Sequence, residues 1–154
     1  MNLNNSLLTP IKSVVPDFEL VQDRANYHKE VISNIFDAIK NLDFEYKDEI
    51  LNGLKLQNSL SKCIDFNNVP DEFFKRENHF FVELDIDFLI KLIITPNTEL
   101  LQFFLCMYKN KYYITFRVSS DYKREALFIY AKENDFYNKL MYVSKEGEML
   151  CLNM

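Results

Sequence analysis

The densest run of reactive side chains in this chain is Glu83-Leu84-Asp85-Ile86-Asp87. Side chains on a strand alternate between faces, so a strand here points all three carboxylates one way, about 6.6 Å apart at each step. Such a row suits Mg²⁺ or a cationic surface. Its plain role is to keep an edge strand soluble. The Asp-x-Asp pair has no glycine-rich phosphate loop beside it. With 2 Gly in the whole chain, P-loop and Rossmann chemistry are excluded.

The remaining reactive residues are sparse. Cys63, Cys106 and Cys151 form no CxxC and no Cys/His cluster, so zinc spacing is absent. Each stands among apolar neighbours and reads as a reduced core thiol. The histidines are His28 and His79, far apart in sequence, and no Gly-x-Ser-x-Gly marks a nucleophile. Pro16-Asp17 with Glu45-Tyr46-Lys47 spells the PD…ExK of metal-dependent nucleases. That chemistry needs adjacent strands, and both pieces fall in helical patterns. The expectation is a protein that is not an enzyme, with no cofactor and no metal.

The elements that would position these groups divide the chain in two. Residues 1–15 read as a flexible N-terminal arm and 16–154 as a single α+β domain. A helix opens at Pro16-Asp17. Phe18, Val21, Ala25, His28, Ile32, Ile35, Ile39 and Leu42 recur at spacings of three and four and form its apolar face. His28 on that stripe reads as a core residue. Asp23, Glu30 and Asp37 recur at seven and share the opposite side. A second helix is expected from Asp43 to about Cys63, with Phe44, Ile50, Leu51, Leu54, Leu60 and Ile64 inward and Gly53 marking a bend or a close crossing. Pro70-Asp71-Glu72 looks like the first turn of a short third.

Residues 79–94 begin as a strand and from Asp87 suit a strand or a helix equally. Then follow an apolar strand over 99–108, a turn at Lys109-Asn110, and a strand over 111–118 whose alternation is clean. Further strands are expected at 125–131, 139–144 and 149–153. The fold class is α+β: two to three N-terminal helices packed on a C-terminal, mainly antiparallel sheet of four to six strands. If one sheet face is core, Tyr113 lies on the other, and exposed Tyr favours interfaces.

The chain has 154 residues, 48% of them hydrophobic, which is ample for one core. Lys and Arg number 18 against 23 Asp and Glu, for a net charge of -5. Residues 1–77 carry 9 basic and 13 acidic groups, so the acidity sits mostly on the helical half. A nucleic-acid binder neutralises phosphates with a basic face, and none is present, so no direct nucleic-acid contact is expected. The first residues lack the charge pattern of a signal peptide, and no segment suits a bilayer span. The expected location is cytoplasmic, with no membrane contact.

In size, charge and α+β layout the chain is similar to the small immunity proteins that neutralise bacterial toxins. That likeness implies a protein-binding inhibitor whose partner is a basic, nuclease-like toxin, covered sterically at its active site. The expected contacts are Asp23, Glu30, Asp37, Asp85 and Asp87. Phage anti-defence proteins and secretion chaperones share this character. Two other classes compete: a small enzyme with a dispersed active site around His28 or His79, and a structural subunit that forms a homodimer through the 149–153 edge.

Overall fold

The computed structural model describes residues 12–60, 63–66, 78–144 and 146–152. Among the described residues, four α-helices and six strands follow in chain order: α1 (Val21–Ile39), α2 (Lys47–Ser59), β1 (Ile64–Phe66), β2 (His79–Glu83), α3 (Ile86–Ile93), β3 (Leu100–Tyr108), β4 (Lys111–Val118), α4 (Asp121–Glu133), β5 (Met141–Val143) and β6 (Met149–Cys151). The strands make one sheet in the order β1-β3-β4-β2-β5-β6. Every neighbouring pair is antiparallel except β1 with β3. The architecture is α+β, as the hydropathy pattern implies. The helices are not confined to the N-terminal half, because α3 and α4 are interleaved with the strands.

Strands β4 and β2 are the middle pair, and β3 and β4, the longest strands, form a hairpin. Lys109 and Asn110 both adopt left-handed backbone, at φ 49° and 64°, which matches the right-handed twist of a two-residue hairpin. On β4, Tyr112, Ile114, Phe116 and Val118 face the helices. Their buried side chains join those of Val31, Ile32, Ile35 and Ile39 of α1, Leu54 of α2, Leu89 and Leu92 of α3, and Leu127 and Ala131 of α4. Tyr113 and its neighbours face the other way, into a second cluster with Phe81, Cys106 and Tyr108. A bulge between Leu101 and Phe104, with Gln102 at φ 53°, inserts one residue and flips the parity of β3. Leu100 faces the helices before it; Phe103, Leu105 and Met107 do so after it. Two buried faces and a parity flip explain why 99–108 reads as an unbroken apolar run.

Several expectations are corrected. Helix α1 starts at Val21, not at Pro16-Asp17, and Phe18 packs against the core from outside it. Helix α2 is shorter than Asp43–Cys63, because Tyr46 enters it in left-handed backbone. Leu60 is 54% exposed rather than inward. Gly53 sits inside α2, where an added Cβ would meet the Phe103 carbonyl oxygen at 3.8 Å, an ordinary contact. The strand expected at 125–131 lies within helix α4. Ser120 caps it, accepting a hydrogen bond from the Lys123 amide at 3.3 Å. Leu127 and Ala131, four apart, are its buried pair, and Ile129 is 58% exposed.

Residues 79–94 resolve into a strand followed by a helix. Asp85 is the α3 cap, and its carboxylate accepts from the amides of Asp87 at 2.9 Å and Phe88 at 3.3 Å. Of the expected arm, residues 1–11 lie outside the described residues. Val15 is fully covered, and its amide donates to the Asn110 carbonyl at 3.1 Å, so 12–15 are held on the β3–β4 hairpin. The helix expected at Pro70 also lies outside the described residues.

Ile35 is fully buried and Ile129 is not. Ile35→Ala should therefore cost about 2–5 kcal/mol of unfolding free energy in urea. Ile129→Ala should stay within about 0.5 kcal/mol of the native chain. A large loss at Ile129 would contradict the helical placement of α4.

Candidate protein-binding surface

Helix α1 is where sequence pattern and geometry meet. Its inner side places His28, Val31, Ile32, Ile35 and Ile39 against the sheet. At about 100° per residue this leaves Asp23, Glu30 and Asp37 within about 40° of one another on the outer side, over about 21 Å of helix. All three are exposed. Asp37 pairs with Lys40 at 3.1 Å, itself an exposed contact on the same stretch of chain. Asp23 and Glu30 have no ion-pair partner among the described residues.

The inner side of α1 is pinned by a polar contact. His28 Nδ1 shares a hydrogen bond with the hydroxyl of Tyr112, both groups buried. The rings meet edge to face at 5.5 Å, and Tyr27 stacks on Tyr112 from the next position of the helix at 6.2 Å. Burial pushes the His28 pKa down, and the Arg24 guanidinium adds to this; Asp65 acts in the opposite direction. Arg24 and Asp65 are themselves 3.4 Å apart, tying α1 to β1. Burial raises the Tyr112 hydroxyl pKa, with Cys63 as the next cause.

The other reactive groups are committed to the interior as well. His79 Nε2 shares a hydrogen bond with the Thr115 hydroxyl on the second sheet face. Burial, then Asp65, pushes the Cys63 thiol up to about 12, far from a thiolate at neutral pH. Burial raises Cys106 well above its ordinary value too. Among the described residues no group of three His, Cys, Asp or Glu comes together, and no helix is long and apolar enough to cross a membrane.

The carboxylate row at 83–87 is taken apart by the fold. Glu83 ends β2 and accepts from the Ser13 hydroxyl at 2.6 Å, with Lys111 at 4.0 Å. Asp85 caps α3 and Asp87 lies in its first turn. Both are exposed, but they are not stacked with Glu83 on one strand face. Glu83 and Asp85 instead border a cleft of about 440 Å³ with Phe88, Lys139 and Cys151. Lys139 stands over the Phe88 ring at 4.8 Å. The five expected contact residues thus fall into two groups, the α1 row and the α3 start. Tyr113 is buried, so the tyrosine expected at the surface is not available there; the well-exposed tyrosine is Tyr122, at 73%.

Sequence reasoning missed a groove between α1 and α2. Ile32, Ser33, Phe36 and Asp37 line one side, Leu54 and Lys55 the other, around a space of about 400 Å³. Asn58 ties the helices together, its Nδ2 donating to the Ser33 hydroxyl at 2.9 Å and to the Lys29 carbonyl at 3.2 Å. The 3.6-residue period of each helix contains this face, but their pairing does not follow from either alone. Comparison with protein-family models, with curated proteins and with solved structures finds no match. The residues themselves carry the functional reading.

Two outcomes test the α1 seat. Tyr112→Phe removes the buried partner of His28 and should cost about 1–3 kcal/mol in urea unfolding. The pH test follows from the lowered His28 pKa. As pH falls through the ordinary value of 6.5, the unfolded chain takes up this proton first. The stability is therefore complete above 6.5 and declines as pH falls toward the lower folded value. Unfolding free energy should drop as pH falls below the ordinary value of 6.5, and His28→Gln should flatten that slope. A slope unchanged in the variant would contradict it.

Proposed function

We propose that this protein works by binding: it inhibits a basic partner protein by covering its active-site groove, in the manner of an immunity protein acting on a nuclease-like toxin. The observation that carries the reading is the α1 row. Three exposed carboxylates sit on a helix whose opposite side is fully engaged with the sheet. A rigid row of one sign accelerates association with an oppositely charged protein and selects against others. The engagement of His28, His79 and the Cys63 and Cys106 thiols in the interior supports binding over chemistry. Asp85 and Asp87, exposed at the start of α3, are a second proposed contact.

The mechanism is steric and electrostatic. The acidic row steers a basic groove into register, and the bulk of α1 then keeps substrate out of it. No group on this chain needs to react. The partner is proposed to lie in the same compartment, the cytoplasm.

The test is capture of partners from producing cells at low salt, elution by rising NaCl and identification by mass spectrometry. The expected result is one basic protein in stoichiometric amount, inactive while bound. With that protein in hand, the triple variant Asp23→Lys, Glu30→Lys, Asp37→Lys should lower the association rate about tenfold or more and flatten its dependence on salt. Association kinetics equal to the native chain would rule out the α1 row as the contact.

A further inference from the structure

We infer that the start of α1, Val21 to His28, is a pH-sensitive latch, closed on the sheet while His28 is neutral and opened when it is protonated. The helix is held in two unequal parts. Its later part rests on Val31, Ile32, Ile35 and Ile39, each 3% exposed or less, an apolar seat with no titratable member. From Val21 to His28 only His28 is buried, at 6%, and Val21 is 86% exposed. A short set of contacts fastens these turns. His28 Nδ1 shares its hydrogen bond with the Tyr112 hydroxyl, and Tyr27 stacks on Tyr112. Phe18 packs against Tyr27 with ring centres 5.3 Å apart, and Arg24 pairs with Asp65 in an exposed position. Helix turns this few do not hold in water without such contacts.

The central contact needs a neutral imidazole. Tyr112 is fully buried, and its hydroxyl has no second hydrogen-bond partner among the described residues. A bare Nδ1 accepts the hydroxyl proton. An imidazolium carries hydrogen on both nitrogens and accepts nothing, which leaves that buried proton without an acceptor. The titratable groups around the ring are Arg24 and Tyr27 on its own helix, Asp65 on β1, Cys63 just before β1 and Tyr112 on β4. Burial raises Tyr27, Cys63 and Tyr112, so these stay uncharged near neutral pH. Arg24 therefore repels the new cation and Asp65 attracts it, and Asp65 is already paired with Arg24. Burial first, and Arg24 second, hold the latched ring below its ordinary 6.5 against the pull of Asp65. An opened ring returns to 6.5 and takes up a proton that the latched ring refuses. Opening is thus rare above that pH and increasingly favoured below it. Asp23 rides on the latched turns, whereas Glu30 and Asp37 lie beyond His28, so opening takes Asp23 out of the acidic row. That consequence rests on the proposed binding role of the row; the latch itself stands without it.

Native-state hydrogen exchange of the full chain, followed by NMR as pH is lowered through 6.5, tests the latch without any partner. Intrinsic exchange rates are corrected for pH. Amides of Ala25, Asn26, Tyr27 and His28 should open more readily than those of Val31 and Ile35. That opening should depend little on urea, since it exposes little surface. Its equilibrium constant should rise about tenfold per pH unit below 6.5, for the one proton taken up, and level off once the latched ring titrates. Global unfolding frees the same ring and rises in step, so the urea dependence separates the two. His28→Gln keeps a hydrogen-bonding side chain that does not titrate and should abolish the rise. Arg24→Gln, a change at a partly exposed position, should shrink it, because the latched ring then protonates more easily. Exchange of Ala25 to His28 only together with Val31 and Ile35, in one urea-sensitive step, would overturn the latch. So would a local opening that ignores pH, or a rise that both variants leave unchanged.

Discussion

Burial on both faces of β4 is the constraint from which the rest of this molecule follows. Alternate residues of that strand enter two separate clusters, Tyr112, Ile114, Phe116 and Val118 in one, Tyr113 in the other. A strand in that position tolerates no slip, because a one-residue shift exchanges every side chain between the faces. β3 meets the same demand with a bulge at Gln102, and the Lys109-Asn110 turn locks the two strands together. Helix α1 is then seated on the strand through His28 and Tyr112. Its outer side is what remains for solvent and for partners.

That seat links fold to function. A polar pair in an otherwise apolar contact adds little net stability when satisfied but penalises any other arrangement. It fixes the rotation of α1 about its own axis, and hence the direction in which Asp23, Glu30 and Asp37 point. The ion pair between Arg24 and Asp65 adds a second tie near the helix start, weaker because it is exposed. An acidic row held this way is preorganised, so less ordering entropy is lost on binding.

Where one period dominated, the sequence was legible. Strand β4 shows strict alternation and is found at its expected bounds, whereas α1 keeps its inner spacing of three and four from His28 to Ile39 but begins later than expected, with Val21 86% exposed. Residues 125–131 misled because Leu127, Phe128, Ile129 and Tyr130 are adjacent and bulky, as in a strand. The decisive signals were Ser120, a helix cap, and the four-residue step from Leu127 to Ala131. The 83–87 run misled for a related reason: Asp85 alternates like a strand residue yet serves as a cap. Within the candidate surface, the α1 row was readable from its seven-residue recurrence. The groove beside it was not, since it depends on how α2 lies against α1, and neither helix encodes that alone.

A rigid acidic row requires that α1 and the β3–β4 hairpin form one cooperative unit. Native-state amide hydrogen exchange tests this directly, since it resolves local from global opening. Amides of Val31, Ile32 and Ile35 are expected to exchange with the same opening free energy as those of Leu105 and Ile114. Exchange of these α1 amides through a local opening several kcal/mol easier than that of β4 would contradict it, since the acids would then ride on a loose helix.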